Sequence, residues 1–218
     1  MLTIYGVLRS RASRCIWLAH EIGLPFKHVP VMQAYRLDNP DVPDASLNTR
    51  SPAFLRVNPN GHMPSIDDDG LVLHESLAIN LYLAKRYGGT LGPADIAEDG
   101  QMAMWALWAA TEVEPHSIQV LYHRVSYPPD RRDPAVAQAA IDALRKPLEV
   151  LDQALAARGF LVGGRFTVAD INAAEVVRYA LPAPELFEAT PALRRWLAAC
   201  HDRPAYKRMM ADRELEPA

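Results

Sequence analysis

The run Asn58-Pro59-Asn60-Gly61-His62-Met63-Pro64-Ser65-Ile66-Asp67-Asp68-Asp69-Gly70-Leu71-Val72-Leu73-His74-Glu75-Ser76-Leu77-Ala78-Ile79 decides how the rest of the chain is read. Pro64 to Asp67 and Leu71 to Leu73 flank Asp68-Asp69-Gly70, a turn composition, and together predict a β-hairpin. Helical spacing starts directly afterwards and predicts a helix from Glu75 to Tyr87, ended by Gly88-Gly89. X–Pro is the one bond that readily becomes cis, and proline at the first residue of a strand is tolerated. A cis Met63–Pro64 bond would turn the Met63 backbone outward, where its N–H and C=O could pair with an extended peptide as a strand does. A plain turn built on Asn-Pro and Asn-Gly accounts for the same residues.

Upstream of this run, Leu2 to Val7 has strand composition. Ser13 to Ile22 follows with Ile16, Leu18, Ala19 and Ile22 on one helical face, and Gly23 stops it. Phe26 to Val31 reads as a second strand, and the strand–helix–strand order predicts a parallel pair joined by a crossover. Residues 33 to 60 are irregular and rich in Pro, Asn and Asp, a long loop of the kind that is functional or mobile. Beyond Leu91-Gly92-Pro93 the pattern is helix only, at about 95–125, 134–158, 167–180 and 190–202, with a short helix near 204–210. The chain therefore divides into an α/β domain over 1–87, a link over 88–94 and an all-helical domain over 95–218, without internal repeats.

Hydrophobic residues make up 50% and charged residues 22% of the 218, the balance of a soluble globular protein large enough to bury a real core. The net charge of -3 argues against a nucleic-acid footprint, which needs clustered positive charge; Arg131 and Arg132, the nearest thing to a basic run, are flanked by Asp130 and Asp133. No stretch approaches the roughly 18 apolar residues of a membrane span, and Met1-Leu2-Thr3-Ile4-Tyr5 lacks the form of a signal peptide. Cys15 and Cys200 form no Cys-x-x-Cys pair, so a reducing cytoplasm is the expected setting.

Two further segments bear on chemistry, and a third resembles them only in being a helix start. Tyr5-Gly6-Val7-Leu8-Arg9-Ser10-Arg11-Ala12-Ser13-Arg14 runs from a strand into a helix start. Unpaired N–H groups and partial positive charge at such a start favour a thiolate, and a Ser10 hydroxyl aimed at the sulfur adds a charge-assisted hydrogen bond. Serine is equally a common helix cap. His74-Glu75-Ser76 opens the next helix, where the Ser76 N–H and hydroxyl suit a carboxylate and Glu75 suits an ammonium group. An acidic first turn that satisfies the helix dipole explains the same pair. Phe166-Thr167-Val168-Ala169-Asp170-Ile171 has capping-box spacing with a hydrophobic staple and reads as folding machinery. Seven histidines are scattered without ligand spacing, so no metal is expected.

In this order and at these spacings the motifs resemble the cytosolic glutathione transferases over nearly the whole chain, in particular a bacterial, serine-type branch. Tyr5-Gly6, Ser10, Arg14, residues 58–64, Glu75-Ser76-Leu77-Ala78-Ile79, residues 166–171 and Arg203-Pro204-Ala205 carry the likeness. It implies a thioredoxin-like N-terminal domain, an all-helical C-terminal domain contributing the electrophile site, a homodimer, and a detoxification enzyme with glutathione as co-substrate. Ser10, four residues before Arg14, becomes the catalytic residue that hydrogen-bonds the glutathione sulfur. Met63, before Pro64, pairs with the cysteinyl backbone, and Glu75 and Ser76 hold the γ-glutamyl end. His62 stands where a Lys or Gln commonly meets the glycyl carboxylate, so that contact depends on pH. Tyr5 is the competing activator, although it lies one position off the register that tyrosine-type members use. Cys15 reads as core. The electrophile is expected against the helix at 95–125, where Met104, Trp108, Thr111, Glu112 and Pro115 share helical spacing that also fits buried core. The isomerase branch carries a Ser-Ser-Cys-Ser run that Arg9-Ser10-Arg11-Ala12-Ser13 lacks.

Overall fold

The computed structural model describes residues 1–216; Pro217 and Ala218, the end of the expected helical domain, lie outside them. The chain forms two compact units, Met1–Gly89 joined by the segment from Pro204, and Thr90–Arg203.

In the first unit, β1 (Leu2–Tyr5) leads through α1 (Ala12–Glu21) to β2 (Phe26–Val29). The two strands are parallel, as the crossover pattern predicts. The segment the sequence leaves as loop holds a 3-10 turn, Ala34–Arg36, and a short helix, α2 (Pro52–Leu55), begun by a proline at its first turn. β3 (Ser65–Asp68) and β4 (Leu71–His74) form the antiparallel hairpin, and α3 (Ser76–Tyr87) follows. Sheet order is β2-β1-β3-β4, with β3 antiparallel to β1. Asp68, 2% exposed, accepts from the hydroxyls of Tyr82 and Tyr87 at 2.8 and 2.9 Å and so ties β3 to α3. α10 (Pro204–Leu215) packs on α1, with Trp17 and Tyr206 edge to face at 4.9 Å and Met209 fully buried. Residues 204–216 thus group with the sheet, not with the helices before them as the sequence pattern suggests. Helical periodicity marks a buried face but cannot say which partner covers it.

In the second unit, α4 (Ile96–Trp108) and α5 (Glu114–Leu121) are joined by a π-type turn, Ala109–Val113. Pro115 explains the wider turn: it cannot donate back to Thr111, and its ring would crowd that carbonyl in a regular helix. α6 (Pro134–Arg158) buries Ile141, Leu144, Leu148 and Leu151 along one stripe. α7 (Val168–Val177) is buried along its whole length, with α8 (Pro184–Glu188) and α9 (Pro191–Asp202) beyond it. The capping box at Thr167 and Asp170 forms as its spacing predicts. The Asp170 carboxylate also accepts from Leu161 N–H at 3.2 Å and Trp196 Nε1–H at 2.8 Å.

Candidate functional site

Strand register brings the sequence motifs to one end of the sheet. Tyr5 pairs with Val29 on one side and Ser65 on the other, and Ser65 pairs in turn with His74. The residues just past those positions, namely the loop from Gly6, the Met63–Pro64 dipeptide and the Glu75–Ser76 pair, therefore share one edge. Gly6 makes the convergence possible. Its φ of +134° is glycine territory, and a Cβ there would meet the Ala12 Cβ at 2.9 Å and the Met63 Cβ at 3.2 Å.

Ser10 is half-buried in the loop before α1. Its hydroxyl donates to the Val7 carbonyl at 2.6 Å and accepts the N–H of Ala12, the first residue of α1, at 3.1 Å. Ser13, the next serine along, is fully buried inside α1. Tyr5 is half-buried at the end of β1, its ring tilted against Phe54 at 6.4 Å. Cys15 has no exposed surface, and burial pushes its thiol up to about 12, which makes it a core residue.

The Met63–Pro64 bond is cis. Asn58, 1% exposed, holds the preceding loop by donating to the His62 carbonyl at 2.7 Å and the Ser65 hydroxyl at 3.2 Å. The His62 side chain is exposed and Met63 half-buried. Glu75 is exposed with φ +67°, a sparsely populated conformation for a residue with a Cβ, and no ion pair among the described residues engages its carboxylate. Ser76 is buried at the start of α3.

Arg14 lies outside the site residues that the sequence predicts, although the family likeness includes it. It is 1% exposed, and its Nη1 donates to the Ser76 hydroxyl at 3.0 Å. Asn80 holds the Arg14 carbonyl at 3.2 Å, so α1 and α3 lock a buried cation directly behind Ser76. Added to the N-terminal end of α3, that charge favours an anion at Ser76. An arginine on an otherwise apolar helix face is the signal that could have found it. In the second unit Met104 is 52% exposed, Trp108 half-buried, and Thr111, Glu112 and Pro115 exposed, so these residues are not core. Among the described residues no group of three or more His, Cys, Asp or Glu is placed to hold a metal, and no helix is long and apolar enough to cross a membrane.

A small mixed sheet with a βαβ start, a cis-proline strand and a separate helical unit defines the thioredoxin-like-plus-helical class. Residues 10–86 match the glutathione S-transferase N-terminal domain family, and residues 115–204 match its C-terminal domain family. Glutathione S-transferase 3 of Zea mays is 30% identical over 99% of this chain and 96% of its own length. Glutathione S-transferase GstB of Escherichia coli (strain K12) is 30% identical over 96% and 98%. The solved theta class glutathione S-transferase of Xanthomonas axonopodis pv. citri, with glutathione bound, is 30% identical over 95% of each chain, with a TM-score of 0.80. This chain belongs to the glutathione S-transferase family.

Proposed function

We propose that this chain is a serine-type glutathione transferase in which Ser10 stabilises the glutathione thiolate for attack on a small hydrophobic electrophile. The observation that carries this reading is the placement of Ser10, Met63 and the Arg14-backed Glu75–Ser76 pair at one edge of the sheet. The donor set suits a tripeptide with two carboxylates and one ammonium. Met63 offers backbone to an extended peptide, Ser76 at the start of α3 takes a carboxylate, Glu75 takes the ammonium, and exposed His62 meets the second carboxylate. The relatives come from plants and bacteria alike, so the serine-type assignment rests on Ser10 itself.

An ordinary thiol of pKa about 8.5 is only about 3% ionised at pH 7. To serve the sulfur, the Ser10 hydroxyl turns away from the Val7 carbonyl while still accepting from Ala12 N–H, which polarises it. A neutral hydrogen bond of roughly 0.5–1.5 kcal/mol is exchanged for a charge-assisted one of roughly 1.5–3. The end of α1 adds roughly 0.3–1 kcal/mol. The sum lowers the thiol pKa by about one to two units. Glutathione supplies the nucleophile, and the chain orients and ionises it. We place the electrophile on the helix face of Met104, Trp108 and Glu112, where Met104 and Glu112 are exposed and Trp108 is half-buried. By family likeness we further infer a cytoplasmic homodimer, checked by sedimentation.

The test is the thiolate absorbance of bound glutathione against pH. Wild type should depress the thiol pKa, Ser10→Ala should return it towards the solution value with a roughly tenfold or greater fall in kcat/KM, and Tyr5→Phe should leave both unchanged. Binding of glutathione with an unshifted thiol in the wild type would turn the chain into a binding protein of the same fold.

A further inference from the structure

The Ser10 loop is not held by the sheet and α1 alone. Its two successive amides at Leu8 and Arg9 both donate to the carboxylate of Glu216, at 2.8 Å to Oε1 and 3.1 Å to Oε2. The grip is returned. Arg9 Nε donates to the Glu216 carbonyl at 3.4 Å, and Arg213 Nε donates to the Leu8 carbonyl at 3.2 Å. Leu8 and Arg9 lie directly between Val7, whose carbonyl takes the Ser10 hydroxyl, and Ser10 itself. Glu216 reaches them because α10 is docked on α1 through Trp17 and Tyr206, with His20 facing Asp212 at 3.6 Å.

A loop of six residues between β1 and α1, containing a glycine, has many conformations available, and ordering each residue costs conformational entropy. A carboxylate that bridges two adjacent amides removes that freedom at the point where the hydroxyl direction is set, and charged acceptors make the stronger bonds. We infer that Glu216, supported by Arg213, is a positioning residue for Ser10. It holds the loop in the one conformation from which the hydroxyl can turn from Val7 to the sulfur. This inference rests on the serine-type reading above.

The experiment compares wild type, Glu216→Ala, Glu216→Gln, Ser10→Ala and the Ser10→Ala/Glu216→Ala double variant, with thermal unfolding to confirm that each is folded. Three readouts are followed: thiol titration of bound glutathione, kcat/KM, and amide hydrogen exchange at Leu8 and Arg9. Glu216→Ala should speed exchange at those two amides, raise the thiol pKa and lower kcat/KM about fivefold, with KM for glutathione held within about twofold. Glu216→Gln, which keeps one good acceptor oxygen, should fall between. Because Glu216 acts through Ser10, its removal should add nothing in the Ser10→Ala background. Additive losses, an unmoved thiol titration despite faster exchange, or a gain in activity would each overturn the proposal. An unshifted thiol in wild type would sink the serine reading instead, while the exchange data would still report whether Glu216 holds the loop.

Discussion

At the scale of single residues, the site depends on groups whose roles come from distant parts of the chain. Gly6 is the clearest case. Its φ of +134° and the 2.9 Å approach of the Ala12 Cβ mean that any side chain collides with backbone-fixed neighbours on two sides. Gly6→Ala should therefore cost about 2–4 kcal/mol, read as a lower urea midpoint at unchanged slope. A cost below about 1 kcal/mol would show that the loop relaxes and that the close approach is not needed. The sequence made Ser10, Met63–Pro64 and Glu75–Ser76 visible because each sits in a local pattern: a helix start, an X–Pro bond, a hairpin followed by a helix. Arg14 and Glu216 were not legible in that way. One matters through a contact 62 residues along the chain and the other through a contact 208 residues away. No local period encodes such pairings.

Among the elements, α7 shows how much a terminus can carry. The Asp170 carboxylate accepts from Thr167 N–H, the Thr167 hydroxyl, Leu161 N–H and the Trp196 indole. Burial raises its pKa, while these donors act to lower it. Asp170→Ala leaves four donors without their acceptor inside a helix that is buried on all sides, so a loss of about 3 kcal/mol or more is expected in urea unfolding. A loss no larger than the roughly 1 kcal/mol of an ordinary exposed cap would show that water replaces the carboxylate. The four strands, α1, α3, α6, α7 and α9 follow the sequence pattern closely, since each joins a clear period to a proline, glycine or capping signal. α2 and α8 span four and five residues, too short for any period to show, and each opens on a proline. The π-type turn before α5 is a consequence of Pro115 that periodicity alone smooths over.

For the whole molecule, the distribution of titratable groups sets how acid undoes the fold, and two groups in the second unit act in successive windows. Burial pushes the His201 imidazole down to about 4, so it stays neutral in the folded chain. The unfolded chain takes up that proton near pH 6.5. Between the two values the unfolded state binds more protons, so stability rises with pH there and is lost on acidification, by on the order of 3 kcal/mol. Glu98 follows. Hydrogen bonds from Arg165, at 2.8 and 2.6 Å, hold its carboxyl down to about 2. Its contribution is present above the unfolded carboxylate value of about 4.5 and fades as pH falls towards 2. Asp170, with its raised pKa, works in the opposite sense and gains as pH falls, but it is common to every protein compared here. Thermal midpoints of wild type, His201→Gln and Glu98→Gln across this range separate the two. Relative to His201→Gln, wild type should lose ground between about pH 6.5 and 4 and nowhere else. Its advantage over Glu98→Gln should hold near neutrality and close below about pH 4.5. Parallel midpoint curves for all three proteins would mean that neither group changes its proton affinity on folding, and the acid sensitivity would have to lie elsewhere in the chain.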